Sequence, residues 1–264
     1  MLIPYNKINF SFFKWLAGLI DGDGSLLVNK NGYATIEITL HERDVQTLYK
    51  IKELIQGKVN SRVKSTAYRW RINNSNLLIN IYINLNSKLL TEDKYLQVCK
   101  FYTGLTNNYK SSQSKQILEE INHELTIPKL SSSVESSIKS GWLSGFIDAE
   151  GYFSIRNKYT LTISISQKNK LILEKIQEVI KIGNIYLDTS NNVYSLVISD
   201  LQGRNYLLTY FPHYLLQTSK HNDCVTFRRL VLFLEIKYDL DTENSNTKIR
   251  IDNLIRKFKN RYKI

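Results

Sequence analysis

The sequence predicts an α+β fold made of two similar halves, each with the element order α-β-β-α-β-β-α. The first observation is a repeated motif, because "WLAGLIDGDGS" at residues 15–25 returns as "WLSGFIDAEGYFS" at residues 142–154. The second is that the same succession of apolar patterns follows both copies. A chain of 264 residues with 42% apolar content is also long enough to give each half a core.

The first element of each half is a helix. The apolar residues of 15–20 share one helical face, and so do those of 142–147. Gly18 and Gly145 lie in the middle of these segments, where a missing side chain lets another backbone come close. We therefore expect the two motif helices to pack against each other along their small residues.

The remaining elements follow in the same order in both halves. "LLVNKNGYATIEITL", with its Asn-Gly pair, and "FSIRNKYTLTISIS" each predict a β-hairpin. Helical spacing of Leu and Ile predicts a helix in 44–57 and another in 170–183. Each half then continues with two short strands, "KVNSRVK" and "AYRWRI" or "NIYLD" and "VYSLVI". Apolar helical segments end in "LTEDKYLQVCKF" and "LQTSKHNDCVTF".

The boundaries of the halves follow from a change in composition. Residues 109–137 are polar, rich in serine and contain Pro128, which is typical of a linker, here with one short helix in its middle. We assign residues 1–108 to the first half and residues 138–264 to the second. The alternating strands favour antiparallel sheets with one exposed face.

The charge favours a polyanionic partner. The chain has 36 Lys and Arg against 24 Asp and Glu, a net charge of +12, which suits nucleic acid or an acidic membrane surface. We expect no membrane partner, because no amphipathic anchor stands out and the apolar runs are too short to cross a bilayer. Cys99 and Cys224 give neither a disulfide framework nor a metal-binding spacing.

Two acids are predicted to meet where the motif helices end. Side-by-side packing brings together Asp23 and Glu150, which are 127 residues apart in the chain. A helix C-terminus carries partial negative charge, so paired carboxylates there are destabilising unless a cation compensates. Their oxygens, with the carbonyls of Gly22 and Ala149 and with water, are ligands that suit Mg²⁺.

These motifs resemble the LAGLIDADG homing endonucleases of the monomeric, two-motif kind, and the resemblance covers essentially the whole chain. It implies a saddle of two antiparallel sheets straddling double-stranded DNA, with the motif helices at the central interface. It also implies a staggered double-strand cut in a long, asymmetric target, the intron insertion site. The implied cofactor is Mg²⁺ or Mn²⁺, with Ca²⁺ supporting binding without cleavage.

The resemblance also suggests roles for particular residues. Asp21 and Asp148 become structural residues at the helix ends, whereas the metal-binding positions are Asp23, Glu150, Gly22 and Ala149. Family sites carry a basic residue near each scissile phosphate and a residue that orients water or phosphate. The candidate catalytic residues are thus Asp23, Glu150, Lys94, Lys220 and Gln167.

Two of these assignments leave alternatives. Lys94 and Lys220 each precede a phenylalanine by seven residues and so occupy matching places, but each could also be a solvated lysine at a helix start. Gln167 ends the strand "LTISISQ", and its first-half counterpart is left open between His41 and Glu42.

The strands supply candidate DNA contacts. Cations on the polar sides of paired strands suit a major-groove ribbon, where arginine bonds guanine and lysine meets phosphate; the alternative is an ordinary solvated face. The first strand of the second half is more charged than that of the first half, so we expect an asymmetric target. The candidates are Leu27, Asn29, Asn31, Arg62, Lys64, Arg69, Arg71, Ser154, Arg156 and Lys158.

Two other functions remain open at this stage. An intron maturase would use the same fold to assist RNA splicing, with host intron RNA as partner and with or without cleavage. A nuclease-dead DNA-binding regulator is the other; the presence of both central acids argues against lost cleavage in either case. The abundance of Lys, Asn, Ile and Tyr, which have A/T-rich codons, and the absence of a visible import signal predict a gene in an organelle, the mitochondrion.

Overall fold

The computed structural model describes residues 10–85, 88–107, 132–156, 160–235 and 246–261. Lys158 and residues 109–131 of the predicted linker, with the short helix predicted in its middle, lie outside the described residues. The first half contains α1 (Phe10–Asp23), β1 (Gly24–Val28), β2 (Ala34–His41), α2 (Val45–Ile55), β3 (Lys58–Ser61), β4 (Ala67–Ile72), α3 (Ser75–Leu85) and α4 (Glu92–Asn107).

The second half repeats this order. A short helix precedes the second motif, and a further helix follows the repeat. The elements are α5 (Ser132–Ile138), α6 (Gly141–Glu150), β5 (Gly151–Arg156), β6 (Thr160–Gln167), α7 (Lys170–Ile180), β7 (Asn184–Asp188), β8 (Val193–Ile198), α8 (Leu201–Tyr210), α9 (Lys220–Glu235) and α10 (Asn246–Asn260). The predicted order is confirmed, and the helical segment that closes each repeat is divided into two helices.

Each half folds around a four-stranded antiparallel sheet. The strand orders are β1-β2-β4-β3 and β5-β6-β8-β7, so the duplication in sequence is a duplication in topology. The strands alternate as half-buried strands do. On β2, Ile36, Ile38 and Leu40 face the helices, and the residues between them face outward. We call the side turned away from the helices the outer face of each sheet.

The helices α2 and α7 cover the inner faces through matching stripes. The buried residues of α2 recur at helical spacing: Thr47, Leu48, Ile51 and Ile55. Those of α7 do the same: Ile172, Leu173, Ile176 and Ile180. This period of three and four residues is what made both helices predictable from the sequence.

The motif helices α1 and α6 pack against each other at the centre of the molecule, as predicted. A Cβ atom on Gly18 would lie 1.9 Å from the carbonyl oxygen of Trp142, and one on Gly145 would lie 1.9 Å from that of Trp15. Backbone therefore touches backbone at two related points, and only glycine fits either position. This close approach fixes where the two helices end relative to each other.

Two reciprocal hydrogen bonds join the same helices. Trp15 Nε1 donates to Asp148 Oδ2 over 2.8 Å, and Trp142 Nε1 donates to Asp21 Oδ2 over 2.7 Å. All four side chains are buried, so each carboxylate needs such donors to offset its desolvation. Among the described residues, no helix is both long and apolar enough to cross a membrane.

Candidate active site

The packing of α1 and α6 brings their acidic last residues together. Asp23 ends α1 and Glu150 ends α6. A Cβ atom on Gly22 would lie 3.5 Å from Glu150 Oε1, so the Glu150 carboxylate sits over the end of the opposite helix. This is the meeting of two acids that the repeated motif predicts. Asp23 is exposed and Glu150 is half-buried at the surface of the cleft.

The surroundings of this pair oppose the ionised form. Although the residue as a whole is exposed, the surrounding protein partly desolvates the Asp23 carboxylate, which raises its pKa from 3.8 to about 6. Burial, and then the nearby charge of Asp23, raise the pKa of Glu150 from 4.5 to about 7. The charges of Lys220 and Lys94 act in the opposite direction on both acids without cancelling the effect. The two lysines therefore do not fully compensate the ionised carboxylates, and an additional cation would stabilise them.

Lys220 is fixed at the C-terminal end of α6. Its Nζ donates to the carbonyl oxygens of Ile147, Asp148 and Ala149, at 3.1, 2.6 and 2.8 Å. The last carbonyls of a helix lack partners within it, although that of Ile147 also accepts from the N–H of Gly151. A cation at this end also interacts favourably with the helix dipole. Burial lowers the pKa of Lys220, because the ammonium group has lost part of its hydration.

Lys94 has a related place in the first half. Its Nζ donates to the carbonyl oxygen of Gly24 over 2.6 Å, immediately after α1, and its side chain is buried. Burial lowers the pKa of Lys94 as well. Neither lysine is a solvated residue at a helix start, which was the alternative.

Lys94 and Lys220 lie at different distances along the chain from the threonine that precedes each of them. Asp21 accepts hydrogen bonds from Thr91 Oγ1, 70 residues later, and Asp148 accepts from Thr218 Oγ1, also 70 residues later. Lys94 then follows its threonine by three residues, whereas Lys220 follows by two. This one-residue difference accompanies their different carbonyl partners.

Asp21 and Asp148 act as structural anchors. Asp21 also accepts from the backbone N–H groups of Leu90 and Thr91, at 2.8 and 3.2 Å. Asp148 likewise accepts from the N–H groups that precede α9. Burial raises the pKa of Asp21 to about 6, against the effect of these hydrogen bonds. Sequence reasoning missed the two threonines, although their equal spacing from the motif aspartates was a usable signal.

Contacts between the halves also position the loop before Lys220. The N–H of Ser219 donates to Asp44 Oδ1 over 2.6 Å, and Thr47 Oγ1 donates to the carbonyl oxygen of Gln217 over 2.6 Å. Asp44 and Thr47 belong to the first half, at the start of α2. The second lysine thus depends for its placement on the other half of the chain.

Gln167 contacts one acid directly, and its first-half counterpart is neither of the predicted residues. Gln167 Nε2 donates to Glu150 Oε1 over 2.6 Å. Gln167 pairs with Tyr194 across the sheet, and the residue that pairs with the equivalent Tyr68 is Leu40. Leu40 is buried and cannot form hydrogen bonds through its side chain. The surroundings of the two acids are therefore unequal.

His41 and Glu42 are used differently. The side chain of His41 accepts from the N–H of Arg43 over 3.3 Å and begins the short 3-10 turn Glu42–Asp44. The sequence alignment was wrong at this point because the connection between strand and helix differs in length between the halves.

Several predicted DNA contacts lie on the outer faces of the sheets. In the first sheet these include Arg69 and Arg71 on β4, and Leu27 on β1, whose side chain is exposed. In the second sheet, Ser154 and Arg156 occupy the outer face of β5.

Others do not lie on strands as predicted. Arg62 and Lys64 belong to the turn after β3, where Lys64 has a φ of 57°. Asn29 and Asn31 lie in the β1–β2 loop, because β1 ends at Val28. Asn29 Oδ1 accepts from the N–H groups of Asn31 and Tyr33, both at 2.9 Å, so it stabilises the turn. These four residues are exposed at the rim of the sheet rather than on its face.

The geometry defines a class of protein: a duplicated α+β molecule with one paired-carboxylate centre where its two halves meet. Comparison with known families agrees. The model described as "LAGLIDADG endonuclease" matches residues 16–105 and again residues 143–231. The chain belongs to the LAGLIDADG endonuclease family and carries two copies of its motif.

Individual relatives are intron-encoded proteins. The chain is 30% identical over 196 residues to the intron-encoded RNA maturase bI4 of Saccharomyces cerevisiae, covering 72% of this chain and 27% of that protein. It is 28% identical over 252 residues to the probable intron-encoded endonuclease 4 of Neurospora crassa, covering 89% of this chain and 42% of that protein. The chain thus spans less than half the length of either relative.

Solved structures share the fold. The meganuclease I-SmaMI bound to uncleavable DNA superposes with a TM-score of 0.68 at 20% identity, covering 93% of this chain and 97% of that one. The homing endonuclease I-LtrWI bound to its target DNA gives 0.66 at 20% identity, covering 94% and 98%. The predicted saddle of two antiparallel sheets around central motif helices is confirmed.

Proposed function

We propose that this chain is a site-specific homing endonuclease that makes a staggered double-strand cut in a long, asymmetric DNA target, the intron insertion site. One observation carries the proposal. Asp23 and Glu150 end two abutting helices and share a cleft with two inward-held lysines. A purely structural role does not account for four ionisable groups gathered where ionisation of the acids is disfavoured.

The residues present fit a divalent metal. Among the described residues, no cluster of three or more His, Cys, Asp or Glu exists, which does not suit Zn²⁺. Two carboxylates with raised pKa values, supplemented by main-chain carbonyls, water and phosphate oxygens, suit Mg²⁺ or Mn²⁺. The carbonyl of Ala149 already accepts from Lys220, so only its second lone pair is free for a metal. Asp23, Glu150 and the carbonyl of Gly22 complete the proposed set.

Each side chain has a definable role in phosphodiester hydrolysis. When bound, Mg²⁺ would supply Lewis acidity to the phosphate and lower the pKa of a water at the site. Lys94 and Lys220 would offset the negative charge that develops on the phosphate oxygens. Gln167 would hold the Glu150 carboxylate in one orientation through its 2.6 Å hydrogen bond.

The two sheets would bind the DNA. Their outer faces carry Arg69, Arg71, Ser154 and Arg156, and the rim carries further cations. A net charge of +12 supports attraction to the phosphate backbone. The DNA-bound state of I-SmaMI and I-LtrWI and the names of the intron-encoded relatives support the same partner. We propose a monomer, because one chain supplies both motifs, and a gene in an organelle, the mitochondrion.

The test uses intronless target DNA from the host gene with Mg²⁺, Ca²⁺ or EDTA. We expect a double-strand cut with Mg²⁺ and binding without cutting in Ca²⁺. Asp23→Asn and Glu150→Gln should abolish cutting while binding in Ca²⁺ persists, because each substitution keeps the shape and removes the charge. Specific binding with no cut under any divalent metal would refute the nuclease and favour a regulator.

A second function is supported by one comparison. The relative at 30% identity is named an RNA maturase, and it matches over 72% of this chain. If the chain also assists splicing, Glu150→Gln protein should accelerate self-splicing of the host intron despite its inability to cut DNA. An unchanged splicing rate with both the wild type and the variant would refute the second function alone.

A further inference from the structure

The outer face of the first sheet carries a polar row across all four strands, and its members on β2, β4 and β3 are charged. The antiparallel registers align Ser25 on β1 with Glu37 on β2, Glu37 with Arg71 on β4, and Arg71 with Lys58 on β3. Arg69 lies one step along β4 on the same face, because alternate residues of a strand share a side. The two arginines are predicted DNA contacts from the sequence, whereas Glu37 between them is not.

Glu37 contacts both arginines. Its Oε2 lies 3.1 Å from Arg69 NH1, and its Oε1 forms an ion pair with Arg71 NH2. The Glu37 side chain is only 10% exposed, whereas that of Arg71 is 50% exposed. A mostly buried carboxylate thus holds two guanidinium groups, one of which projects into the space where DNA would lie. Glu37 also offsets the repulsion between two like charges on one strand.

The guanidinium groups keep hydrogen-bonding capacity beyond Glu37. An arginine side chain has five N–H donors in a planar fork. Among the described residues, Arg69 Nε is buried without a hydrogen-bond partner. That buried N–H cannot reach DNA, but the Arg69 and Arg71 side chains are 28% and 50% exposed. Their outward N–H groups can therefore bond another acceptor while Glu37 holds the side chains.

The second sheet has uncharged residues at the equivalent positions. Matching the two registers replaces Glu37 by Ser164, Arg69 by Ser195 and Arg71 by Val197. Ser195 shares a 2.8 Å hydrogen bond between hydroxyl groups with Ser166 on the neighbouring strand. The two sheets share the same strand pairing, but the charged side chains at these three positions of the first sheet are replaced by two serines and a valine in the second.

We propose that Glu37, Arg69 and Arg71 form a cluster that reads G·C base pairs, so that the half-site bound by the first sheet has a G·C specificity at these positions that the equivalent positions of the second sheet lack. The inference rests on the proposed DNA-binding function and adds to it the kind of base pair and the residues responsible. Arg69 and Arg71 are the contacting residues, and Glu37 is the positioning residue.

The chemistry of base edges supports this assignment. Guanine presents O6 and N7 together in the major groove, and an arginine fork bonds both at once. A guanidinium held in advance loses less conformational freedom on binding, which favours the matched base over its competitors. Serine hydroxyls accept and donate to any base, and a valine methyl group suits the methyl of thymine. The second sheet should therefore discriminate G·C pairs weakly at the equivalent positions.

The experiment is selection of bound duplexes from a library randomised across the target, in Ca²⁺ so that binding is measured without cutting. For the wild type we expect guanine at one or two positions of one half-site to be preferred by about 5- to 150-fold, the range of a bidentate arginine contact. Arg71→Ala should remove that preference at its position and leave the other half-site unchanged.

Glu37→Gln separates positioning from a structural role. It should reduce the guanine preference by at least about fivefold. It should also strengthen binding to unrelated DNA and make binding more salt-dependent, because one negative charge leaves the interface. A role confined to sheet stability would instead weaken binding to all sequences equally, with an unchanged preference, and would overturn the inference.

A matched control comes from the second sheet. Ser195→Ala occupies the position equivalent to Arg69 and should leave the guanine preference intact. The wild type could select a defined target without any guanine preference, or its guanine preference could respond to Ser195→Ala rather than to Arg71→Ala. Either result would overturn the inference but not the DNA-binding function. Selection of no defined target by the wild type would overturn both.

Discussion

The contact between the motif helices α1 and α6 at Gly18 and Gly145, here called the seam, should not tolerate even one added methyl group. In Gly18→Ala the new Cβ would start 1.9 Å from the carbonyl oxygen of Trp142 and 2.7 Å from the N of Phe146. Both atoms are backbone, so no side-chain rotation relieves the contact. Cβ contacts under 3.0 Å essentially do not occur, and the helices must separate by about 1.1 Å, the difference between 3.0 and 1.9 Å.

The expected effect on stability is large for so small a change. Overpacking of a tight core costs about 1–3 kcal/mol and sometimes more. Separation would also lengthen the two Trp–Asp hydrogen bonds across the seam, at 2.7 and 2.8 Å. Alanine gains about 1 kcal/mol of helix propensity over glycine, which offsets part of this loss. We expect a net loss of about 2–4 kcal/mol.

Thermal unfolding followed by circular dichroism measures this loss. For a protein of this size, 2–4 kcal/mol lowers Tm by about 5–15 °C. Gly141→Ala in α6 is the matched control, because it lies on the same pair of helices and its nearest contact across them would be the carbonyl oxygen of Ser11, at 3.3 Å. The control should change stability by no more than about 1 kcal/mol. A Gly18→Ala protein as stable as the wild type would refute the view that backbone contact sets the seam.

Three further predictions concern the site itself. Trp142→Phe keeps one aromatic ring but removes the pyrrole ring with its N–H donor to Asp21, and urea unfolding should report a loss of about 2–4 kcal/mol from the lost hydrogen bond and the cavity; no loss would mean that the remaining donors and repacking suffice. Because the pKa of Glu150 is raised from 4.5 to about 7 in the fold, the metal-free protein should lose stability as pH rises through that window, and Glu150→Gln should flatten the dependence in thermal scans with EDTA. Gln167→Leu copies the residue at the equivalent first-half position, Leu40, and should slow the cutting of one DNA strand by about tenfold, so that nicked DNA accumulates on denaturing gels; equal slowing of both strands would contradict the unequal surroundings of the two acids.

The repeat made most of the fold predictable from sequence. Duplicated apolar spacing indicates the same strands and helices twice, and Gly18 and Gly145 in the two helices indicate close packing. That packing then brings Asp23 and Glu150 together without knowledge of any other contact. Like charges at two adjacent helix ends therefore indicate the centre of the candidate site from the sequence.

Contacts between strands that are distant in sequence were harder to predict. The counterpart of Gln167 is Leu40, which lies 127 residues earlier, the same spacing as between Asp23 and Glu150. The sequence signal was obscured because the turn that follows differs in length between the halves, and the pairing of Leu40 with Tyr68 resolves it. Arg62 and Lys64 were placed on strands because alternation extends past the point where β3 ends. Glu37 was overlooked because its importance arises only from its cross-strand neighbours.

The hydrogen bonds from Ser219 to Asp44 and from Thr47 to Gln217 limit how freely the halves can be recombined. A chimera that joins this second half to an unrelated first half would inherit Lys220 without the surface against which its loop rests. Asp44 and Thr47 would need to be transplanted together with the second half, even though they belong to the first. For modular engineering, the exchangeable unit therefore includes residues from both halves, and dividing the chain at one position does not separate it.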